Sequence, residues 1–154
     1  MAAYFVDSSA LVKRYVQEAG TRWVRNLTRR NTSHLIYLAR ITAVEVTSAV
    51  ARRREGRTLT PQKASSILYR FRKHLAARYT VIEITPALLD TAMKLANTHA
   101  LRAYDAVQLA VALEVRRRHQ DAGLGPVTLV SADRDLNTAA IAEALPVEDP
   151  NAHP

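Results

Sequence analysis

Short apolar runs alternate along the chain with longer segments in which apolar residues recur every three or four positions. The short runs are typical of buried strands, and the longer segments are typical of amphipathic helices. We predict strands at 3–7, 34–38, 79–84, 127–131 and Pro146–Glu148. The first predicted helix begins at Ser8 or Ser9 and covers SALVKRYV. Another helix is predicted to begin at Pro61, and the others cover 20–30, Thr42–Arg54, Pro86–His99, Tyr104–His119 and 135–144.

Several helix ends have local signals of their own. Thr60–Pro61 and Thr85–Pro86 each place a hydroxyl residue before a proline, which suits the first helical position because it has no N–H to leave unpaired. Gly56 ends the helix from Thr42. Strands that alternate with helices predict a three-layer α/β/α fold with a central parallel sheet.

The composition indicates one globular domain. The chain has 154 residues, of which 48% are hydrophobic, and only four are glycine. We expect a domain over 1–149 and a flexible tail over 150–154. No cysteine is present, which excludes disulfides and thiolate zinc sites. No apolar run is long enough for a membrane span and no signal peptide is evident, so we expect a cytoplasmic protein.

The charge balance is strongly basic. The formal net charge is +8, and 18 of the 22 cationic residues are arginine. This balance is typical of proteins that meet polyanions, but a solvated surface in an arginine-rich coding background would give the same composition. The arginine runs 52–54 and 116–118 end long helices, where pairing with the helix dipole is a sufficient explanation.

Four acidic residues stand among apolar neighbours, each near the start of a predicted helix. Such carboxylates are costly to desolvate unless a cation compensates them, and a hard divalent metal is a natural compensator. If the fold gathers them, the chain is a metal-dependent enzyme acting on phosphodiesters. They are Asp7 in YFVD, Glu45 in ITAVEVTSAV, Asp105 in RAYDAVQLAVAL and Asp133 after VTLVSA.

Each acid also has a purely structural interpretation. Asp7 could cap the first helix, although the two following serines are available as caps, which favours a metal ligand. Glu45 follows Thr42 with the spacing of a capping box, and capping and ligation are evenly balanced there. Asp105 could simply stabilise a helix dipole, but the apolar helix behind it favours function. For Asp133 and its neighbour Asp135, we expect the first to be a ligand and the second either a cap or a group that supports the ligands.

Four of these segments, in this order, resemble PIN-domain ribonucleases, and most of all the VapC-type toxins of toxin–antitoxin pairs. They are DSSALVKRY, TAVEV, RAYDAVQLA and LVSADRDL, and the resemblance covers roughly residues 3–148. The resemblance implies a parallel α/β/α fold and an acidic pocket that binds Mg²⁺ or Mn²⁺. It also implies cleavage of RNA, often by a homodimer, with a VapB-like antitoxin that blocks the site.

Transferred to this chain, the resemblance implies catalytic acids at Asp7, Glu45, Asp105 and Asp133. Asp7 and Asp105 are the expected direct metal ligands, Asp133 completes the shell of a second metal, and Glu45 positions or deprotonates the attacking water. Around them it places Ser9, Ser131 and Asp135 beside the metal or the substrate. Leu136 stands where the family usually has an aromatic residue, which concerns packing rather than chemistry.

Two other function classes remain as alternatives. A haloacid-dehalogenase-like phosphatase also begins with an acid after the first strand, but its motif needs a second acid where this chain has Ser9. A non-catalytic basic module that binds nucleic acid would use the acids only as helix caps. No zinc-finger or RNP1-like pattern supports that second alternative.

Overall fold

The computed structural model describes residues 1–154 and contains five strands and seven helices. The strands are β1 (Ala3–Val6), β2 (Leu35–Ala39), β3 (Thr80–Ile82), β4 (Val127–Val130) and β5 (Val147–Glu148). The helices are α1 (Ser8–Tyr15), α2 (Thr21–Leu27), α3 (Ile41–Glu55), α4 (Pro61–Ala77), α5 (Pro86–His99), α6 (Ala103–Asp121) and α7 (Arg134–Ala142). The predicted elements are all present, and the largest differences are the shorter β3 and α2.

The strands form one parallel sheet in the order β3-β2-β1-β4-β5. The chain moves outward from β1 to β2 and β3, and then crosses to the other side of β1 to add β4 and β5. The strand order therefore reverses between β1 and β4. Clefts at the carboxyl ends of the strands beside such a reversal are the usual binding sites of open α/β sheets.

Two apolar cores cover the two faces of the sheet, which confirms the three-layer α/β/α fold. Alternate strand residues divide between them: Phe5 packs under α5, α6 and α7, whereas Val6 packs under α1, α3 and α4. Helix α6 is the central element of the first core, because its residues from Leu109 to Ala112 are all buried. None of the helices combines the length and apolar content that a membrane span requires.

The two threonine–proline signals mark helix starts in the structure. The Thr60 hydroxyl accepts a hydrogen bond from the Lys63 N–H, and the Thr85 hydroxyl accepts one from the Leu88 N–H, both at 3.2 Å. Each bond satisfies one of the backbone donors that a helix start leaves unpaired. These bonds therefore fix the residues at which α4 and α5 begin.

The last residues pack against α2 instead of forming an irregular tail. Pro150–Ala152 form a short 3-10 helix, and Pro150 is buried. Gly20 has a φ of +82°, and a Cβ there would lie 2.3 Å from the Pro150 carbonyl oxygen, so only glycine allows this approach. The imidazole of His153 stacks on Trp23 with ring centroids 4.5 Å apart. The end of the chain is therefore part of the domain.

Candidate active site

A cavity of about 650 Å³ opens at the carboxyl ends of the strands, beside the reversal of strand order. Asp7 directly follows β1, and Asp133 lies three residues beyond the end of β4. Glu45 comes from the first turns of α3, and Asp105 from the first turn of α6. All four line the cavity, so the fold brings together the acids that the sequence separates by up to 126 positions.

Asp7 is buried and accepts hydrogen bonds from three donors. The Ala10 N–H donates to Oδ1 at 3.0 Å, and the Ser131 hydroxyl donates to Oδ2 at 3.0 Å. The Ser9 hydroxyl reaches both oxygens, at 2.7 and 3.0 Å. Asp7 is thus the N-cap of α1, and neither of the two serines available as caps takes that position. The capping role and a ligand role are compatible, because a carboxylate has lone pairs for both.

Burial dominates the ionisation of Asp7. Desolvation raises its pKa, the donors from Ser9, Ala10 and Ser131 lower it, and the negative charge of Glu45 raises it further. The net result is a pKa of about 7, compared with an ordinary value of 3.8. Without a cation nearby, this carboxyl is therefore half protonated near neutral pH. A bound cation would favour the ionised form.

Glu45 is held by two side-chain donors. The Ser8 hydroxyl donates to Oε2 at 2.9 Å, and Gln108 Nε2 donates to Oε1 at 2.7 Å. No capping box forms, because α3 begins at Ile41 and Thr42 lies inside the helix, where its hydroxyl accepts a second bond from Gln108. Burial raises the pKa of Glu45, and Asp105 contributes to the increase. The structure therefore excludes the interpretation of Glu45 as part of a capping box.

Asp105 and Asp133 share one cation, Arg102. Its Nε donates to Asp105 Oδ2 at 3.2 Å, and its Nη2 donates to Asp133 Oδ2 at 2.9 Å. Burial and Asp133 raise the pKa of Asp105, whereas Arg102 lowers it. The Arg102 side chain is 76% exposed, so these ion pairs are weak and the guanidinium is free to leave.

Asp133, and not Asp135, caps the last long helix. The Leu136 N–H donates to Asp133 Oδ1 at 2.9 Å, so the capping role considered for Asp135 belongs to Asp133. Asp135 lies exposed in the first turn of α7 and does not line the cavity, although its charge contributes to the raised pKa of Asp105. Its position therefore suits a role in the surrounding electrostatic field rather than direct ligation.

Ser9 and Ser131 connect the two halves of the site. Both donate to Asp7, and their hydroxyl oxygens lie 3.5 Å apart. The Ser9 oxygen accepts from the Ala132 N–H and the Ser131 oxygen accepts from the Asp133 N–H, at 2.9 and 3.0 Å. The loop after β4 is thereby fixed to the start of α1. The structure places both serines next to the most buried acid.

Polar residues that the sequence interpretation did not single out complete the site. Gln108 is buried in α6, and its Nε2 joins Thr42 to Glu45, while its Oε1 has no hydrogen-bond partner. Asn137 is also buried, and its Nδ2 donates to the Ser131 carbonyl at 2.9 Å. The single glutamine within AVQLAVAL could have been identified as a site residue from the sequence, because a buried amide among apolar residues needs a hydrogen-bond partner. Arg102 carries no such signal.

Four cationic side chains line the same cavity as the acids. Lys13, Arg52 and Arg53 line the cavity together with Arg102. Lys13 donates to Glu18 at 3.2 Å, and Arg53 also pairs with Glu18. A cavity lined by both acids and cations can attract a metal cation and a polyanion.

The donors present fit a hard divalent cation. In the side-chain positions observed, no three carboxylates or histidines are grouped tightly enough to enclose one ion. Mg²⁺ does not need such a group, because it usually takes one or two direct carboxylates and retains several waters. The raised pKa values of Asp7, Glu45 and Asp105 indicate uncompensated negative charge, and the weakly held Arg102 leaves Asp105 accessible.

Comparison with known proteins gives a family match and several matches of fold. Residues 4–142 match the family model of the PIN domain. PAE2754 from Pyrobaculum aerophilum is 24% identical, with a TM-score of 0.61, over 98% of this chain and 91% of that one. VapC20 from Mycobacterium tuberculosis, described as a Sarcin-Ricin loop cleaving toxin, is 17% identical, with a TM-score of 0.63, over 88% and 94%.

A third structure extends the set to a complex. A toxin–antitoxin complex from Klebsiella pneumoniae contains a chain that is 18% identical to this one, with a TM-score of 0.57. The match covers 97% of this chain and 98% of that one. No curated protein matches the chain with significance. At these identities, the likeness to solved structures establishes a shared fold.

Proposed function

Because the chain belongs to the PIN domain family, we propose that it is a Mg²⁺- or Mn²⁺-dependent endoribonuclease, the toxin of a VapBC-type pair. The observation that supports this most directly is the shared cavity of Asp7, Glu45, Asp105 and Asp133. Three of these carboxyls have raised pKa values, and a divalent cation would relieve that electrostatic cost. The cationic side chains that line the cavity and the net charge of +8 suit a polyanionic substrate.

Within this proposal, Asp7, Asp105 and Asp133 would hold the metal. When bound, the metal would lower the pKa of a water molecule and provide positive charge that stabilises the phosphoryl oxygens. Glu45 would accept the proton of the attacking water, and the donors Ser8 and Gln108, which fix its two oxygens, support this role. The water oxygen forms a bond to phosphorus and one phosphodiester P–O bond breaks, so that one RNA fragment keeps a phosphate monoester and the leaving oxygen takes a proton from solvent to become a hydroxyl.

The cavity's own cations would act on the substrate. Arg102 is exposed and weakly paired, so it can move from Asp105 and Asp133 to a phosphate of the RNA. Lys13 and Arg53 are partly neutralised by Glu18 and contribute a weaker field. The RNA backbone would therefore enter along the side of the cavity that Arg102 occupies.

Partners form a further part of the proposal. The similarity of fold to a chain of a toxin–antitoxin complex supports a VapB-like antitoxin that covers the cavity, and we also propose a homodimer. Light scattering on the purified chain should then give about twice its mass of 17.1 kDa. A monomeric mass at micromolar concentration contradicts the dimer and leaves the nuclease proposal unaffected.

The direct test is cleavage of structured RNA with Mn²⁺ and with EDTA. Asp105→Asn and Glu45→Gln should each abolish cleavage, with the melting temperature retained. Asp90→Asn is the matched control, because Asp90 is exposed on α5, outside the cavity. Cleavage that persists in EDTA, or in both cavity variants, contradicts the proposal.

The alternative functions give different results in the same experiments. A basic module without catalysis would bind RNA, but Mn²⁺ would not raise its melting temperature. The family match does not support a haloacid-dehalogenase-like phosphatase, and Ser9 donates to Asp7 where that chemistry needs a second acid. A covalent phosphate trapped on Asp7 would be required to restore it.

A further inference from the structure

A second cleft, of about 520 Å³, lies at the opposite end of the sheet. His34, just before β2, and Tyr79, just before β3, place it where those strands begin. Its walls are the segment after α2 and the last two turns of α4. No residue lines both this cleft and the acidic cavity. We call it the amino-edge cleft and define it by Arg29, Arg30, Arg70, Lys73, His74 and Arg78.

The amino-edge cleft has five cationic side chains, and no acidic residue lines it. None of the five forms a salt bridge. Arg29 donates to the neutral Asn26, and Lys73 lies over the Tyr69 ring, 4.7 Å from its centroid. By contrast, Arg53 and Arg117 have acidic partners elsewhere on the molecule. The positive charge of this cleft is therefore available to a ligand.

His74 reports the positive potential in the cleft. Burial and the nearby guanidinium groups of Arg78, Arg14 and Arg70 lower its pKa to about 4. Its Nδ1 lies 2.7 Å from the Tyr15 hydroxyl. A neutral imidazole among cations means that the charge at this edge is carried by permanently charged groups and not by histidine.

The spacing of the cations favours an extended polyanion over a single small anion. Arg70 and Arg78 are eight positions apart at the end of α4, which corresponds to about 12 Å along a helix axis. Arg29 and Arg30 stand on the opposite wall. Guanidinium groups also bind phosphate oxygens in pairs, which lysine does not do as well. Charges spread over this length match consecutive phosphates of a strand.

We propose that the amino-edge cleft binds the phosphodiester backbone of single-stranded RNA at a site remote from the acidic cavity. The choice of RNA as the polyanion rests on the proposed nuclease function. The cleft would hold a flanking part of the substrate while the acidic cavity cuts elsewhere. An acidic protein segment is the competing ligand, and the test below includes it.

The test is binding of a short fluorescein-labelled single-stranded RNA in EDTA, where no metal-dependent cleavage occurs, measured by anisotropy over a range of salt concentrations. Arg70→Gln/Arg78→Gln should weaken binding by at least about tenfold and reduce the slope of log K against log salt by roughly 1.4. Lys63→Gln/Lys94→Gln removes the same charge from exposed positions outside the cleft and should change the slope little. Arg70→Lys/Arg78→Lys should recover most of the slope.

Each result has one meaning. Equal losses in the cleft variant and the Lys63/Lys94 control overturn the inference, since they would indicate net charge alone. Polyglutamate that competes at the same charge concentration as unlabelled RNA also overturns it, in favour of an acidic protein. If wild type cleaves RNA with Mn²⁺ and the cleft variant binds normally, the nuclease proposal stands and this inference fails. If nothing is cleaved but the cleft variant loses binding, the inference stands alone.

Discussion

Replacing Asp7 by asparagine should change the pH dependence of stability in a defined direction. The folded-state pKa of Asp7 is about 7, above its ordinary value of 3.8, so the folded chain retains a proton that the unfolded chain has lost. The contribution of Asp7 to folding stability is therefore fully present below pH 3.8, and it is lost as the pH rises to about 7. Asparagine keeps the oxygen that accepts from the Ala10 N–H but never becomes charged.

The magnitude follows from the size of the shift. The increase of about 3 in the pKa of Asp7 corresponds to about 4 kcal/mol of lost folding free energy once Asp7 is fully ionised. With these two pKa values, roughly 2.5 kcal/mol of that loss falls between pH 5 and pH 8. Glu45 and Asp105 have shifts in the same direction, and His74 opposes them at lower pH. The comparison between wild type and Asp7→Asn removes these shared contributions.

Urea unfolding followed by circular dichroism, in EDTA at pH 5 and pH 8, measures the effect. The stability of wild type relative to Asp7→Asn should fall by about 2.5 kcal/mol between the two pH values, with Asp90→Asn as the surface control. In Mn²⁺ the sign should reverse for wild type, because metal binding needs the ionised carboxylate. Parallel pH profiles for wild type and Asp7→Asn would refute the argument that burial dominates this site.

Three further perturbations test other parts of the structure. Gln108→Leu should lower kcat for RNA cleavage by at least about tenfold, because Glu45 loses the hydrogen bond from Gln108 Nε2. RNA binding in EDTA should be unchanged, and an equal loss of binding would indicate a general disturbance of the fold. Arg102→Gln should tighten Mn²⁺ binding about threefold in calorimetry, since the guanidinium competes for two of the carboxylates; weaker Mn²⁺ binding contradicts this. Gly20→Ala should cost more than about 2 kcal/mol in urea unfolding, because its Cβ meets the Pro150 carbonyl. Gly123→Ala also has positive φ but meets nothing within 4 Å, so it should cost only about 1 kcal/mol.

The sequence predicts the layered fold well because its signals are local and repeated. Threonine–proline pairs, short apolar runs and the apolar α6 each specify an element independently of the others. The order of the strands is less local. Besides the family resemblance, the sequence connects Asp7 to Asp133 only through the rule that ligands bind at the carboxyl ends of parallel strands. That rule is sufficient to place the cavity.

Side-chain partners within the site are harder to predict, because they depend on contacts between distant segments. The capping-box spacing at Thr42 and Glu45 is present, but α3 begins two residues earlier than that motif needs, and Gln108 from α6 provides the donor instead. Asp133 and Asp135 differ by two positions, and only the backbone direction after β4 decides which one caps α7. The exposed Arg102 has no local pattern that reveals its two carboxylate partners.

The hydrogen bond from Ser131 to Asp7 spans 124 positions and fixes when this centre can assemble. Because β1 pairs with β4, an emerging polypeptide has its first acid ready long before the segment that completes the surroundings of that acid has been synthesised. Ribosome-bound intermediates that end before β4 therefore lack a finished catalytic pocket. Synthesis itself delays activity until most of the chain has been made.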